Sequence, residues 1–179
     1  ESSEYKSSAP LIKAMLNYGG YAQTYFNEKT DALANKGLYN KTNDPVLTTN
    51  TTVSKDYNYA VFNNSIGVSF IGGSLVLNSG TDLKLYYSMD DQNMANNINV
   101  SVNGQNVAPE YDGNIMCVRV PDISISSLGD TYNVKISVNG KELNQKYSAM
   151  TYMYKALNSQ NSNTKLNNVV KALYLYNEA

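Results

Sequence analysis

Carboxylates come close together at two places in this sequence, Asp90-Asp91 and Glu110 with Asp112. A glycoside hydrolase needs two such groups about 5–9 Å apart across a cleft. Here one pair falls in a Met- and Asn-rich loop and the other beside a hairpin turn, the settings of solvated turn acids. The chain contains no histidine, which removes Ser-His-Asp and Cys-His nucleophile arrangements and imidazole metal ligation. No Walker loop and no Gly-x-Gly-x-x-Gly run is present. The one cysteine, Cys117, rules out an internal disulfide framework. Its setting, Asn114–Val120, reads as a strand, where it acts as a small buried hydrophobe with no histidine to activate it. The expectation is a protein that is not an enzyme.

Two binding chemistries are better supplied. Asp90, Asp91 and Asn93 offer hard oxygen ligands in one loop, a calcium candidate. They lack the Asp-x-Asp-x-Asp-Gly spacing of a dedicated calcium loop, and Asx residues also favour turns for their own backbone bonding. No other cofactor is expected. The sequence has 16 tyrosines against three phenylalanines and no tryptophan. Sugar-binding sandwiches stack a flat aromatic ring on a pyranose and surround it with amides or carboxylates. Tyr57, Tyr59, Tyr86 and Tyr111 fall at strand ends, near loops or on outward-alternating positions, so they are the candidate glycan platform. The competing reading of Tyr86 is that it covers a sheet face and packs under a helix. A lectin-like module predicts at least two solvent-facing rings beside an Asn or Asp cluster, whereas a spacer predicts buried tyrosines and featureless polar loops.

The charge pattern narrows the partners. Residues 1–90 carry seven bases and eight acids, residues 91–179 carry seven of each, and Arg119 is the sole arginine. Neither half has the basic footprint of a nucleic-acid binder. No apolar run approaches the roughly 20 residues of a membrane span, and no signal-peptide pattern is recognised. A start on Glu1 is what a mature fragment or an excised domain is expected to show. Asn-x-Ser/Thr sequons at Asn40, Asn50, Asn63 and Asn99 follow from the high asparagine content.

The elements that must position these residues are legible from periodicity. Leu11, Met15, Tyr18, Ala22 and Tyr25 recur at helical spacing, with Ile12, Leu16 and Phe26 widening the stripe. Pro10 is placed near the helix start, and Gly19-Gly20 suggests a kink or close approach of another backbone. A short helical turn is expected at Asp31–Asn35, stopping at Gly37. From about Asp44 the period becomes two. Strands are expected at Val46–Val53, Tyr59–Asn63, Ile66–Phe70, Ser74–Asn78, Asp82–Ser88, Asn97–Val102, Asn114–Val120 and Tyr132–Val138. Between them lie Gly72-Gly73, Ser79-Gly80, Asn103-Gly104, Asp112-Gly113 and Asn139-Gly140, turn dipeptides of antiparallel hairpins. Leu85 and Ile136 belong in the core. Helical spacing returns at Tyr147, Met150, Tyr154 and Leu157, and again at Leu166, Val169, Val170 and Leu173. Asn158–Thr164 forms the turn between them and provides Ser162 or Asn163 as an N-cap.

The stretch Ile123–Ile136 holds Leu128, Asp130 and Tyr132 in the order of the corner before the penultimate strand of immunoglobulin-like domains. There a tyrosine hydroxyl ties the corner to nearby backbone, so Tyr132 reads as structural. The fold class expected is α+β: an Ig-like antiparallel β-sandwich inserted between an N-terminal helix and a C-terminal helical hairpin, with the N- and C-terminal helices packing together. Residues 1–8 read as leader or linker and 9–179 as one domain. Its parts are helical over 9–43, a sandwich over 44–143 and helical over 144–179.

Several segments carry a family resemblance. Leu11–Phe26, Gly73–Tyr87, Val120–Ile123, Tyr147–Tyr152 and Lys171–Asn177 are similar to an accessory module recurring in large extracellular proteins of gut Clostridia. The resemblance covers nearly the whole chain from Leu11. It implies a secreted or cell-surface location and an accessory role beside neighbouring domains of a parent chain, and it carries no site residues. The partner expected is a glycan or a cell-surface protein, with no nucleic acid and no membrane insertion. The rival reading is a structural spacer or protein-contact domain without a small ligand.

Overall fold

The computed structural model describes residues 3–29, 46, 50–60, 66–77, 80–160 and 163–179. The chain divides into two compact units, one made of Glu1–Ser54 with Met153–Ala179, the other of Lys55–Tyr152. The architecture is α+β, with two antiparallel four-stranded sheets and helices at both ends of the chain. No helix among the described residues is long and apolar enough to cross a membrane.

Among its described residues the Lys55–Tyr152 unit holds eight strands. These are β1 (Val68–Leu77), β2 (Thr81–Met89), β3 (Ile98–Val102), β4 (Gln105–Val107), β5 (Glu110–Asp112), β6 (Ile115–Ile123), β7 (Tyr132–Val138) and β8 (Lys141–Tyr147). One sheet runs β1-β2-β6-β5 and the other β4-β3-β7-β8. Alternation selects the inner faces. Leu83, Leu85, Tyr87 and Met89 of β2 are buried, as are Val134, Ile136 and Val138 of β7. The sheets meet through aromatic rings, Phe70 lying 5.4 Å from Tyr87 and 5.5 Å from Tyr147 between centroids. Asn103-Gly104 and Asn139-Gly140 close two hairpins with positive φ at both residues, the signature of type I′ turns.

Several expected boundaries move. Val68–Phe70 and Ser74–Leu77, expected in two separate strands, belong to one strand, β1, rather than to two joined at Gly72-Gly73. The glycines instead mark a bulge, where the register against β2 shifts between Phe70 and Gly72. Gly73 also permits a close approach, since a Cβ there would lie 2.9 Å from the Tyr147 hydroxyl oxygen. Gly73→Ala is expected to destabilise the unit by about 1–3 kcal/mol, because a buried ring must shift to admit the methyl. Adding Tyr147→Phe removes the clashing oxygen and should recover part of that loss. Chemical denaturation of both single variants and the double variant measures the coupling. Tyr147, expected on a helical face, ends β8 because Leu143, Gln145 and Tyr147 alternate inward.

The expected strand Val46–Val53 is not one among its described residues. Val46 is helical and residues 50–53 make no ladder; residues 47–49 lie outside the described set. Tyr59 and Ala60 are likewise irregular, and the remainder of Tyr59–Asn63 lies outside it, as do the turn at Asp31–Asn35 with Gly37 and the sequons at Asn40 and Asn63.

In the other unit, α1 spans Ser3–Tyr25, so residues 3–8, read as leader, are helical and Pro10 lies inside the helix. Gly19-Gly20 neither breaks it nor, at Gly19, meets any neighbour within 4 Å of a Cβ position. Its interior face carries Gly20 and Tyr21, while Leu11, Ile12, Met15 and Phe26 of the expected stripe are exposed. Apolar residues occur all round this helix, so spacing alone did not select the face. The last helix, α3 (Thr164–Glu178), is capped by Asn163, whose side chain accepts from Leu166 N–H at 3.2 Å. It buries Val169, Val170, Ala172 and Leu173 and packs along α1, with Tyr18 stacked on Tyr176 at 6.0 Å. Among the described residues its main partner is therefore α1, not the preceding helix α2 (Ala149–Leu157), as a C-terminal hairpin would require.

The N-terminus of α2 is fixed by a reciprocal cap. Ser148 Oγ accepts from Thr151 N–H at 3.0 Å, and Thr151 Oγ1 accepts from Ser148 N–H at 3.2 Å. Each side chain thus satisfies a donor that the first turn of a helix leaves open.

Candidate functional site

The corner before β7 has a different fastening from the expected one. Tyr132 is half-buried, and among the described residues its hydroxyl has no hydrogen-bond partner. Two tyrosines, one ending the 3-10 turn Lys55–Tyr57 and one just after it, secure the corner instead. Tyr59 shares a 2.9 Å hydroxyl–hydroxyl bond with Thr131. Tyr57 reaches over Gly129, where a Cβ would lie 2.7 Å from its hydroxyl oxygen. Leu128 is buried beneath, and its carbonyl accepts from Met150 N–H at 3.0 Å.

The remaining two candidate tyrosines lie elsewhere. Tyr86 pairs with Gly72 on one side and Cys117 on the other. It is half-buried on the outward face of its sheet, 3.4 Å from Ser74 Oγ. Tyr111 is opposite Met116, which is opposite buried Tyr87, so it lies on the inner side of the edge strand β5. It is 40% exposed, and burial of the rest of the ring raises its phenol pKa. The four rings therefore occupy three places and form no common platform.

The calcium candidates are engaged with one another. Asp91 Oδ1 accepts from Asn93 N–H at 2.8 Å and from its amide Nδ2 at 2.9 Å, capping the 3-10 turn Gln92–Asn97. Asp90 is exposed beside them. No group of three or more His, Cys, Asp or Glu suited to a metal occurs among the described residues. Of the other cluster, Glu110 pairs with Cys117 and Asp112 with Ile115 on the exposed edge strand. Cys117 itself is buried, and desolvation raises its thiol pKa.

A carboxylate that was not singled out from the sequence has the most organised surroundings. Asp82 is buried and accepts from Asp122 N–H at 2.9 Å and from Arg119 Nε and Nη2 at 3.0 and 2.6 Å. Asp122 has φ of 55° at the bulge between β2 and β6, so the side chain of Asp82 locks a backbone irregularity. The Asp122 amide, then Arg119, lower the Asp82 pKa. A depressed folded value means that its contribution is complete above the unfolded carboxylate pKa of about 3.9 and fades as pH falls through the folded one. Asp82→Asn is therefore expected to lower the thermal midpoint at pH 7, with the gap to the unaltered protein narrowing as pH falls toward 2. Calorimetric scans at the two pH values measure it.

One groove brings binding chemistry together within this unit. It encloses about 300 Å³ and is lined by Tyr59, Ala60, Asn133, Asn144, Gln145 and Lys146. Asn133 and Lys146 are cross-strand partners, and Lys135 pairs with Asn144, so Asn133, Asn144 and Lys146 share the outward, exposed face of the second sheet. Asn133 is steadied by Asn103, whose Oδ1 accepts its N–H at 2.8 Å. Tyr59 is held by its bond to Thr131. Gln145 is 2% exposed, and among the described residues neither atom of its amide has a partner. The same face continues into a shallow polar hollow that includes Asn99, Ser101, Lys135, Ser137 and Glu142, with a 2.6 Å ion pair between Lys135 and Glu142.

Comparison with protein-family models, with curated proteins and with solved structures finds no match. The groove must therefore be read from its own residues. Tyr59 was singled out from the sequence, but Asn133, Asn144 and Lys146 were not. Their signal is the alternation Glu142, Asn144, Lys146 against Leu143, Gln145, Tyr147, obscured because Gln145 makes the inward set partly polar.

Proposed function

We propose that this chain is a non-catalytic accessory module of a secreted or surface bacterial protein, and that it binds a glycan in the groove beside Tyr59. The observation that carries the reading is the juxtaposition of a fixed aromatic ring with the exposed amides of Asn133 and Asn144. An aromatic wall with convergent amides suits a sugar, which presents an apolar C–H face and hydroxyls on its rim. The Ig-like reading of the sandwich is supported by strand order. Lettering the strands in sequence places A-B-E-D in one sheet and C′-C-F-G in the other, the division used by immunoglobulin-type sandwiches. The accessory role rests on the sequence resemblance.

The test is a glycan-array screen of the chain with and without calcium, repeated with Asn144→Ala, an exposed position chosen to leave the corner intact. Binding to one glycan class, lost in the variant, is the expected result. Calcium dependence would bring the Asp90, Asp91 and Asn93 loop into the mechanism. A silent array would defeat the glycan reading. The alternative is a structural spacer or protein-contact domain, favoured by the use of Tyr57 and Tyr59 as fastenings for the corner and by the separation of the four candidate rings.

A further inference from the structure

We infer that the groove beside Tyr59 selects a saccharide bearing a carboxylate over its neutral parent; this rests on the glycan reading above and specifies its ligand. Lys146 brings a cation to the groove, and none of the described residues lining it is acidic. Among the described residues Lys146 has no ion-pair partner, whereas Lys135 on the same face is already matched by Glu142 at 2.6 Å. An incoming carboxylate therefore meets one uncommitted ammonium and no opposing charge in the lining.

The spacing suits a single acidic sugar. Asn133 stands directly across the ladder from Lys146, and Asn144 is two residues along the same strand, roughly 7 Å at strand rise. A carboxylate on Lys146 thus leaves the ring hydroxyls within the span of two amides, with Tyr59 as the wall. The wall is set before binding by the Thr131 bond, which reduces the ordering required of the protein. The charge is exposed, so the preference is modest and sensitive to salt.

The experiment is calorimetric titration of the full chain with sialyllactose and a glucuronic-acid-terminated oligosaccharide, each against its neutral parent, with acetate as a carboxylate lacking a sugar. Acidic forms are expected to bind about two- to fivefold more tightly at low salt, with the margin shrinking in 0.5 M salt (roughly a 4 Å screening length). Lys146→Gln should abolish the difference, so that acidic ligands and their neutral parents bind the variant equally, while the thermal midpoint stays unchanged. Equal affinity for acidic and neutral forms, or a preference surviving Lys146→Gln, would overturn the inference while sparing the glycan reading. Acetate competing as strongly as the sugars would overturn it as well. If no saccharide bound, acidic or neutral, the glycan reading itself would fall and the inference with it.

Discussion

Leu85→Ala is expected to lower the stability of the β-sheet unit by about 2–5 kcal/mol, the range for truncating a fully buried leucine. Leu85 is 0% exposed and stands opposite Gly73 on one neighbouring strand and Val118 on the other. The spread within that range depends on how far surrounding atoms can close over the lost volume. Gly73 has no side chain to move into the gap, and the Tyr147 hydroxyl already occupies the space above it. The upper half of the range is therefore the sharper expectation. Ile136→Val, also at a fully buried position but on the facing sheet, removes one methyl and should cost about 0.5–1.5 kcal/mol. Urea denaturation followed by tyrosine fluorescence gives both values. A loss below 1 kcal/mol for Leu85→Ala would mean that the two sheets do not enclose the core described.

Why Leu85 and Ile136 were recognisable while other core positions were not has a physical answer. Both lie in strands whose apolar and polar residues alternate without interruption, so period two fixes the face. β8 also alternates, but its inward set contains Gln145, and Lys, Glu, Asn and Gln dominate its sequence. Hydrophobicity alone cannot reveal such a strand, although its register follows from the Asn139-Gly140 turn and from Val138 pairing with Lys141. Gly72-Gly73 misled in the opposite way, since two glycines between apolar runs read equally as a turn or as a bulge in one long strand. The face of α1 was unreadable for a third reason. With Leu11, Met15 and Tyr21 all large and apolar, the packing partner decides which side is buried, and that partner is a helix far along the sequence.

The groove was half legible. Tyr59 could be suspected from composition, because a chain without tryptophan must use tyrosine for any aromatic platform. Its neighbours come from β7 and β8, far from Tyr59 in sequence, and no local pattern joins them. The Asp82–Arg119–Asp122 arrangement was hidden similarly. The side chain of Asp82 is significant because a bulge opposite it turns an N–H inward, and bulges are set by pairing rather than by residue type.

Ending the chain after Asn158 is expected to melt the helical unit and leave the β-sheet signature in place. The truncation removes α3 and with it Val169, Val170 and Leu173, each 2–3% exposed, whose burial contributes roughly 1.5–3 kcal/mol apiece. That sum approaches the entire stability of an ordinary domain, about 5–15 kcal/mol. Among the described residues α1 cannot compensate, since it contains Pro10, Gly19 and Gly20, which weaken an interior helix by about 3 kcal/mol for proline and about 1 kcal/mol for each glycine. Isolated helices are marginal in water even without such residues. Far-ultraviolet circular dichroism should therefore lose more helical signal than α3 supplies, because α1 unfolds when its partner is gone. The strands between Val68 and Tyr147 bury their own core within the Lys55–Tyr152 unit. The truncated protein should thus retain a cooperative transition that Leu85→Ala still shifts. A loss of helix equal to α3 alone would show that α1 stands without the Tyr18–Tyr176 packing, and the helical unit would then not be a cooperative body.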